Sequence, residues 1–363
     1  MLDFLFKTRK KEQGIWKYAD FYAEKISKKD RLTAGDGGTE LLECSKIGKK
    51  VGVGHLYFKR EDENETGSLK GRSLAYQISL NKTRGGKAVV ISTSGNAGIA
   101  AAAYAGKAGM KALIFVSPDT EKSKIAEMQK YDPVIIRSTR AMRLANYASA
   151  KYRLPNLRPS LDDESIEGFK SIAFEIADEA GEVDAVFTFT TSGSSFIGMH
   201  RGFEMYKEIG KIGKLPKMYA VQAGEIFSVA EEFEENLDLI KSAREASGGS
   251  GPAVRAGQCG IKHTKRKKEI LEIMNRTSGR GIYASEKEIA DAEKMLLQEG
   301  IQTSLEGCAS FAGLMKVAHS EKFRKAVCIF SGQKRSAEKE IDDSKILTAG
   351  NFEEADKIIK QLI

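Results

Sequence analysis

The sequence predicts an α/β protein organised around parallel sheet, and three observations predict it. From Lys87 onward, apolar runs of strand length alternate with helix-length runs, as βαβ units require. Three glycine- or serine-rich turns, Thr93–Gly98, Thr191–Gly198 and Ser331–Gly332, directly follow apolar runs, where α/β folds place their ligands. The chain has 363 residues, 41% hydrophobic and 30% charged, the composition of a soluble globular protein of about two domains.

In chain order, residues 1–30 read as a short, charged, helical lead-in. A helix is expected over Ser73–Leu80, just after the run Asn64-Glu65-Thr66-Gly67-Ser68-Leu69-Lys70-Gly71-Arg72. Lys87–Ser92 (KAVVIS) is a short apolar strand, Ala97–Ala108 an Ala-rich helix and Lys111–Val116 (KALIFV) a second strand. Thr120–Lys130 reads as helix, Pro133–Arg137 as strand and Thr139–Tyr152 as helix. A loop with Pro155 and Pro159 leads into an amphipathic helix over Ile166–Ala180. Asp184–Thr190 (DAVFTFT) has the continuous apolar character of a buried strand, with a long helix from Ile197 and a strand over Lys217–Gln222. Ser247–Gly260 (SGGSGPAVRAGQCG) reads as a mobile loop or linker, Ala326–Phe330 as a strand, and 337–363 as a strand-poor tail with helical spacing over Phe352–Ile363. No internal repeat is visible.

Composition excludes several function classes. The net charge of +8 is diffuse, and such a field favours anionic substrates or cofactors. The one dense basic run, Lys262–Lys268, has no interleaved aromatics for base stacking, so it reads as a solvated face and no nucleic-acid partner is expected. Cys44, Cys259, Cys308 and Cys328 are widely spaced, without a zinc pattern or disulfide framework, which fits a reducing cytoplasm. The N-terminal apolar stretch is too short for a signal peptide, and Lys107 and Lys111 interrupt the Ala-rich segment, so no membrane span is expected. His55, His200, His263 and His319 have no paired ligand spacing, and Asp162-Asp163-Glu164 reads as loop solvation, so no metal site is expected.

The motifs point to chemistry on an anionic, carbonyl-bearing ligand. Lys70 stands among small and hydroxylated residues at an expected helix start, where unpaired N–H groups and the dipole supply positive potential. A lysine there should release its proton more readily than a surface lysine, as Schiff-base chemistry with an aldehyde needs. Thr191-Ser192-Gly193-Ser194-Ser195 follows a strand and precedes a helix, and such a turn can hold a phosphate; a tight turn with a helix cap has the same pattern. The chain lacks both the GxxxxGK[ST] nucleotide loop and the GxGxxG dinucleotide fingerprint, so a small monophosphate fits better. Thr93-Ser94-Gly95-Asn96-Ala97-Gly98 offers hydroxyls, an amide and backbone donors for a carboxylate, though Ser94 or Asn96 would serve equally as a helix cap. Ser331-Gly332 places a hydroxyl that could meet a ring nitrogen, or simply turns the chain.

Taken together, these segments resemble the fold-type II pyridoxal-phosphate enzymes, and among them the chain is most similar to threonine synthase, with cysteine synthases and serine/threonine dehydratases as relatives. The resemblance runs from about Gly35 to Lys334. ETGSLKGR resembles the family's P-T-G-S-F-K-D-R, with Lys70 at the cofactor lysine and with Glu65, Leu69 and Gly71 departing from the commonest form. STSGNAG resembles the substrate-carboxylate loop, TSGSSFIG the phosphate loop without a tetraglycine, and FSGQKR the closing S/T-G motif. IEGFKSIAFEIADE, LPKMYAVQAGE, PAVRAG and the opening Asp36-Gly37-Gly38-Thr39-Glu40-Leu41 look like threonine synthase. SGNAG with Ala97 is also typical of dehydratases, and SGQKR is close to the ending of cysteine synthases.

The resemblance implies a tryptophan synthase β-like fold of two three-layer αβα domains with pyridoxal 5'-phosphate between them. The large domain would comprise 1–60 plus 176–363, and the small one 61–175 with Lys70 and the SGN loop. It implies that Lys70 binds the cofactor as a Schiff base and moves the substrate's α-proton. Asn96 would contact the cofactor's O3′, Thr191, Ser192, Gly193, Ser194 and Ser195 its phosphate, and Ser331 its ring nitrogen. Thr93, Ser94, Gly95 and Asn96 would hold the substrate carboxylate. The implied enzyme is a cytoplasmic lyase of amino-acid biosynthesis, a homodimer taking a small amino-acid substrate and converting O-phosphohomoserine and water to threonine and phosphate. Cysteine synthase-like β-replacement, dehydratase chemistry and a non-catalytic scaffold on the same fold are the alternatives. Lys170, Arg255 and Lys262 are candidates for a substrate phosphate.

Overall fold

The computed structural model describes residues 12–93, 95–247, 263–335 and 339–362. Ten strands occur among them: β1 (Leu41–Glu43), β2 (His55–Lys59), β3 (Ala88–Ser92), β4 (Lys111–Val116), β5 (Val134–Arg137), β6 (Ala185–Phe189), β7 (Lys217–Gln222), β8 (Gly281–Tyr283), β9 (Lys325–Ile329) and β10 (Ile346–Thr348). The helices are α1 (Ser45–Val51), α2 (Lys70–Thr83), α3 (Asn96–Ala108), α4 (Lys122–Gln129), α5 (Ala141–Tyr152), α6 (Ser165–Ala180), α7 (Ser194–Glu208), α8 (Leu237–Ser247), α9 (Lys267–Thr277), α10 (Glu286–Gln298), α11 (Leu305–Ala318) and α12 (Phe352–Leu362). The chain divides into two compact units, one of 1–37, 64–168 and 335–363, the other of 38–63 and 169–334.

The unit containing Lys70 is built on a four-stranded, all-parallel sheet in the order β10-β5-β4-β3. Its strands are apolar on both faces because helices cover both. Val89 and Ile91 of β3, Ala112, Ile114 and Val116 of β4, and Ile135 of β5 share one core with α2, α3 and α4. The alternate residues Val90, Leu113, Phe115 and Ile136 pack with Leu144, Ala145 and Ala148 of α5 and with Ala355 and Ile359 of α12. The period-2 alternation thus produces three layers.

The other unit carries a six-stranded sheet in the order β1-β2-β9-β6-β7-β8, parallel except for the antiparallel pair β1–β2. Phe187, Tyr219, Val221, Phe58 and Cys328 form its main core with α1, α10 and α11. Phe187 and Tyr219 stack with ring centroids 4.3 Å apart. The alternate residues Val186, Met218, Ala220 and Val327 are buried too, and α7 and α9 pack on β7.

Two expectations need correction. The C-terminal tail is not strand-poor: Ile346–Thr348 completes the edge of the four-stranded sheet, pairing parallel with β5. The basic run is not uniformly solvated, since Thr264 and Arg266 turn inward while Lys265 and Lys268 face water. The segment expected as a loop or linker, Ser247–Gly260, lies outside the described residues after Ser247, which ends α8. Among the described residues no helix is long and apolar enough to cross a membrane.

Candidate active site

Lys70 is the first residue of α2, so the helix begins three residues earlier than its sequence suggests. The segment before it is tightly turned. Gly67 N–H donates to Asn64 O at 2.6 Å, Gly71 N–H to Ser68 O at 3.2 Å, and Lys70 N–H to the Ser68 hydroxyl at 3.3 Å. Ser68 and Arg72 are fully buried and Lys70 is half-buried. Beneath this turn lies Asp36. Its Oδ1 accepts from the Thr66 hydroxyl at 2.7 Å and Thr66 N–H at 3.4 Å, and its Oδ2 accepts from the Tyr104 hydroxyl of α3 at 2.7 Å. Burial pushes the Asp36 carboxyl above the usual range, and the hydrogen bonds from Tyr104 and Thr66 pull partly back.

Another buried lysine, Lys59, is committed elsewhere. Its Nζ donates to Thr39 O at 2.6 Å and pairs with Glu175 at 2.8 Å. Those contacts commit its amine to holding the fold together.

The turn after β3 is held by Thr93, whose N–H donates to Phe115 O at 3.0 Å and whose hydroxyl accepts from Gly95 N–H at 3.1 Å. Ser94 lies outside the described residues. Asn96 opens α3, and its Oδ1 is buried without a hydrogen-bond partner. An unpaired buried amide oxygen costs about 1–3 kcal/mol, so such an atom is a place where a bound partner would be stabilising. Sequence reasoning missed Arg158. An isolated parallel bridge pairs Asn156 with Val90 of β3, and Arg158 follows it by two residues, its N–H donating to Asn156 Oδ1 at 3.2 Å. The Arg158 guanidinium has no hydrogen bond or ion pair to any described residue, and burial holds it below arginine's usual value. No local pattern in the sequence singles it out.

In the second unit, Thr191–Ser195 joins β6 to α7. Gly193 caps α7 at φ +84°, a left-handed conformation glycine adopts without strain. A Cβ there would come within 2.5 Å of Ile270 Cδ1. The Ser192 and Ser194 hydroxyls are 3.2 Å apart, and Arg266 Nη1 donates to Ser194 Oγ at 3.1 Å. The Thr264 hydroxyl donates to Ser192 O at 2.7 Å and accepts from Arg266 N–H at 3.1 Å, fixing the arginine beside the turn. The first turn of α7 has no side-chain cap. The N-terminal end of a helix, two hydroxyls and a guanidinium together can form a donor set for a small dianion. Ser331 follows β9; its neighbour Gly332 is held through its carbonyl by Ser304 N–H at 2.8 Å and the Thr303 hydroxyl at 3.2 Å. The Ser331 hydroxyl itself bonds no described residue.

Of the candidate cations for a substrate phosphate, Lys170 is buried and engaged, while Arg255 and Lys262 lie outside the described residues. Among the described residues no group of three or more His, Cys, Asp or Glu is placed to hold a metal ion. His200 is buried, with Nε2 3.0 Å from Arg276 Nη2 and 3.2 Å from Glu204; burial lowers its pKa.

The chain is similar to known proteins along most of its length. The chain is 28% identical to threonine synthase of Methanocaldococcus jannaschii over 338 residues, covering 90% of this chain and 81% of that one. It is 28% identical to threonine synthase of Halalkalibacterium halodurans, covering 83% of each. Among solved structures, the O-acetylserine dependent cystathionine β-synthase of Helicobacter pylori superposes with a TM-score of 0.65 at 19% identity, covering 82% of this chain and 93% of that one. Threonine deaminase isoform 2 of Solanum lycopersicum does so with a TM-score of 0.63 at 19% identity, covering 89% and 83%. At these identities the structures bear on fold alone, which is that of fold-type II. The model of the pyridoxal-phosphate dependent enzymes matches residues 32–332, and the chain belongs to that family.

Proposed function

We propose that the protein is a threonine synthase-like lyase that converts O-phosphohomoserine and water to threonine and phosphate. The residues described above fit pyridoxal phosphate: Asn96 Oδ1 lacks a partner in a buried loop, and the 191–195 turn gathers donors for a phosphate. Lys70 would hold the cofactor through its amine, Thr191, Ser192, Gly193, Ser194 and Ser195 would bind its phosphate, Asn96 its ring oxygen, and Ser331 would face its ring nitrogen. Bound there, the cofactor supplies an electron sink for the charge left at a substrate's α-carbon.

The chain's own residues then bind, orient and move protons. Thr93, Ser94, Gly95 and Asn96 would hold the substrate carboxylate, fixing which bond at the α-carbon is weakened. The Lys70 Nζ would take the α-proton and return it later, serving as base and then as acid. A hydroxyl at the ring nitrogen, as opposed to a carboxylate, favours departure of a leaving group over prolonged carbanion storage. The observation that carries the phosphate-bearing substrate is Arg158, a half-buried guanidinium without a counter-charge, two residues beyond the bridge that pairs Asn156 with Val90 of β3. Similarity to threonine synthases along 90% of the chain supports the same reading.

The reading is tested by offering the holoenzyme O-phosphohomoserine, O-acetylserine with sulfide, O-phosphoserine, serine and threonine. Stoichiometric phosphate and threonine from the first substrate is the expected result. A keto acid from serine or threonine alone would assign dehydratase chemistry, and cysteine from O-acetylserine alone would assign β-replacement. A protein that takes up the cofactor but turns over nothing would be a scaffold.

A further inference from the structure

We propose that Asp36 is the positioning residue of the lysine turn, supplying across the fold the carboxylate that the lysine motif lacks beside Lys70. The proposal rests on the role assigned to Lys70. The run ETGSLKGR carries Gly71 where the related motif P-T-G-S-F-K-D-R carries aspartate. In the fold, that vacated place is filled: a Cβ on Gly71 would overlap the carboxylate of Asp36 and also come within 2.5 Å of the Thr66 hydroxyl. The acid lies 35 positions away along the chain, from Gly71 to Asp36, yet it sits against the residue that follows Lys70.

Two physical consequences follow. A carboxylate at the first turn of α2 offsets the positive end of that helix, the place where an acidic side chain of the helix itself would act. Asp36 also ties that turn to the next helix, because Oδ1 takes Thr66 while Oδ2 takes Tyr104 of α3. Glycine at 71 is needed for this, since any side chain would displace the acid. The buried Arg72 lies on the same helix and its charge favours the ionised acid. Asp36 is 1% exposed, so water cannot substitute for these contacts.

The test moves the acid back. Full-length D36N, D36G, G71D and the double variant D36G/G71D are loaded with pyridoxal phosphate and reduced with borohydride. Hydride adds to the carbon–nitrogen double bond joining cofactor to lysine, and the label is located by peptide mass. The rate of attachment at residue 70 is read from the visible absorbance. D36N and D36G are expected to slow attachment about tenfold or more. G71D should fail to fold or to attach, and D36G/G71D should recover most of the wild-type rate. Attachment at wild-type rate in both D36N and D36G overturns the proposal, as does a double variant no better than G71D, whether folded or not. If wild-type protein carries the label on a lysine other than Lys70, the role assigned to Lys70 fails instead, whatever the Asp36 variants do.

Discussion

The turns opening α3 and α7 are built alike and finished differently. Each follows a buried parallel strand, passes through a glycine and starts a helix without a side-chain cap. In the first, the amide oxygen of Asn96 is left without a partner. In the second, the serine hydroxyls already engage one another and Arg266. A single unpaired amide selects a ligand atom by direction, whereas a cluster of donors around a guanidinium selects charge. The same local device thus offers one oriented acceptor in one place and a cluster of donors in the other.

The comparison can be broken at four points, taken from the largest expected effect. Lys70→Ala belongs to neither turn and should abolish turnover, by about a thousandfold or more, without changing the melting of the cofactor-free protein. Gly193→Ala should destabilise the second unit by about 1–3 kcal/mol, because alanine at φ +84° is strained and its methyl meets Ile270. Calorimetry would measure this, and an unchanged melt would mean the turn is not held as described. Replacing Arg266 by Gln should weaken pyridoxal phosphate about tenfold while leaving pyridoxal unaffected. Asn96→Ala should weaken both ligands equally, by a few-fold, about 1 kcal/mol. Equal losses in both variants, read by equilibrium dialysis, would erase the distinction between the turns.

The smallest effect concerns pH. Burial alone would raise the carboxyl of Asp184, but Lys214 at 2.7 Å and the N–H groups of Lys325 and Arg324 hold it below its usual value. A depressed folded-state value stabilises the fold above the unfolded carboxyl value of about 4, and that stability fades as pH falls below it. Asp184→Asn should therefore cost under about 1 kcal/mol at pH 7 and progressively less as pH falls below about 4, read by denaturant melts along the pH series.

The central strands were legible because continuous apolar runs have few alternatives once bounded by turns: β4 and β7 coincide with the expected Lys111–Val116 and Lys217–Gln222. The expected start of α2 was late because Gly71 weakens the local helical signal, while in the fold Asp36 and Thr66 pack directly against it. The short edge strand β10 has no burial pattern to betray it and exists through its partner β5. Arg266 and Asp36 were not legible as members of a site, since each reaches its turn through packing far along the chain, and the missing counter-charge of Arg158 is visible only in the fold.

By itself the sequence determined the α/β alternation, the candidate lysine and the turns that open at strand ends, because periodicity and glycine placement are local. Only the tertiary structure decided which charged groups serve those turns. A guanidinium or carboxylate has no sequence-local preference for a partner, and its place is fixed by the strand register and helix packing that bring distant residues within hydrogen-bond reach.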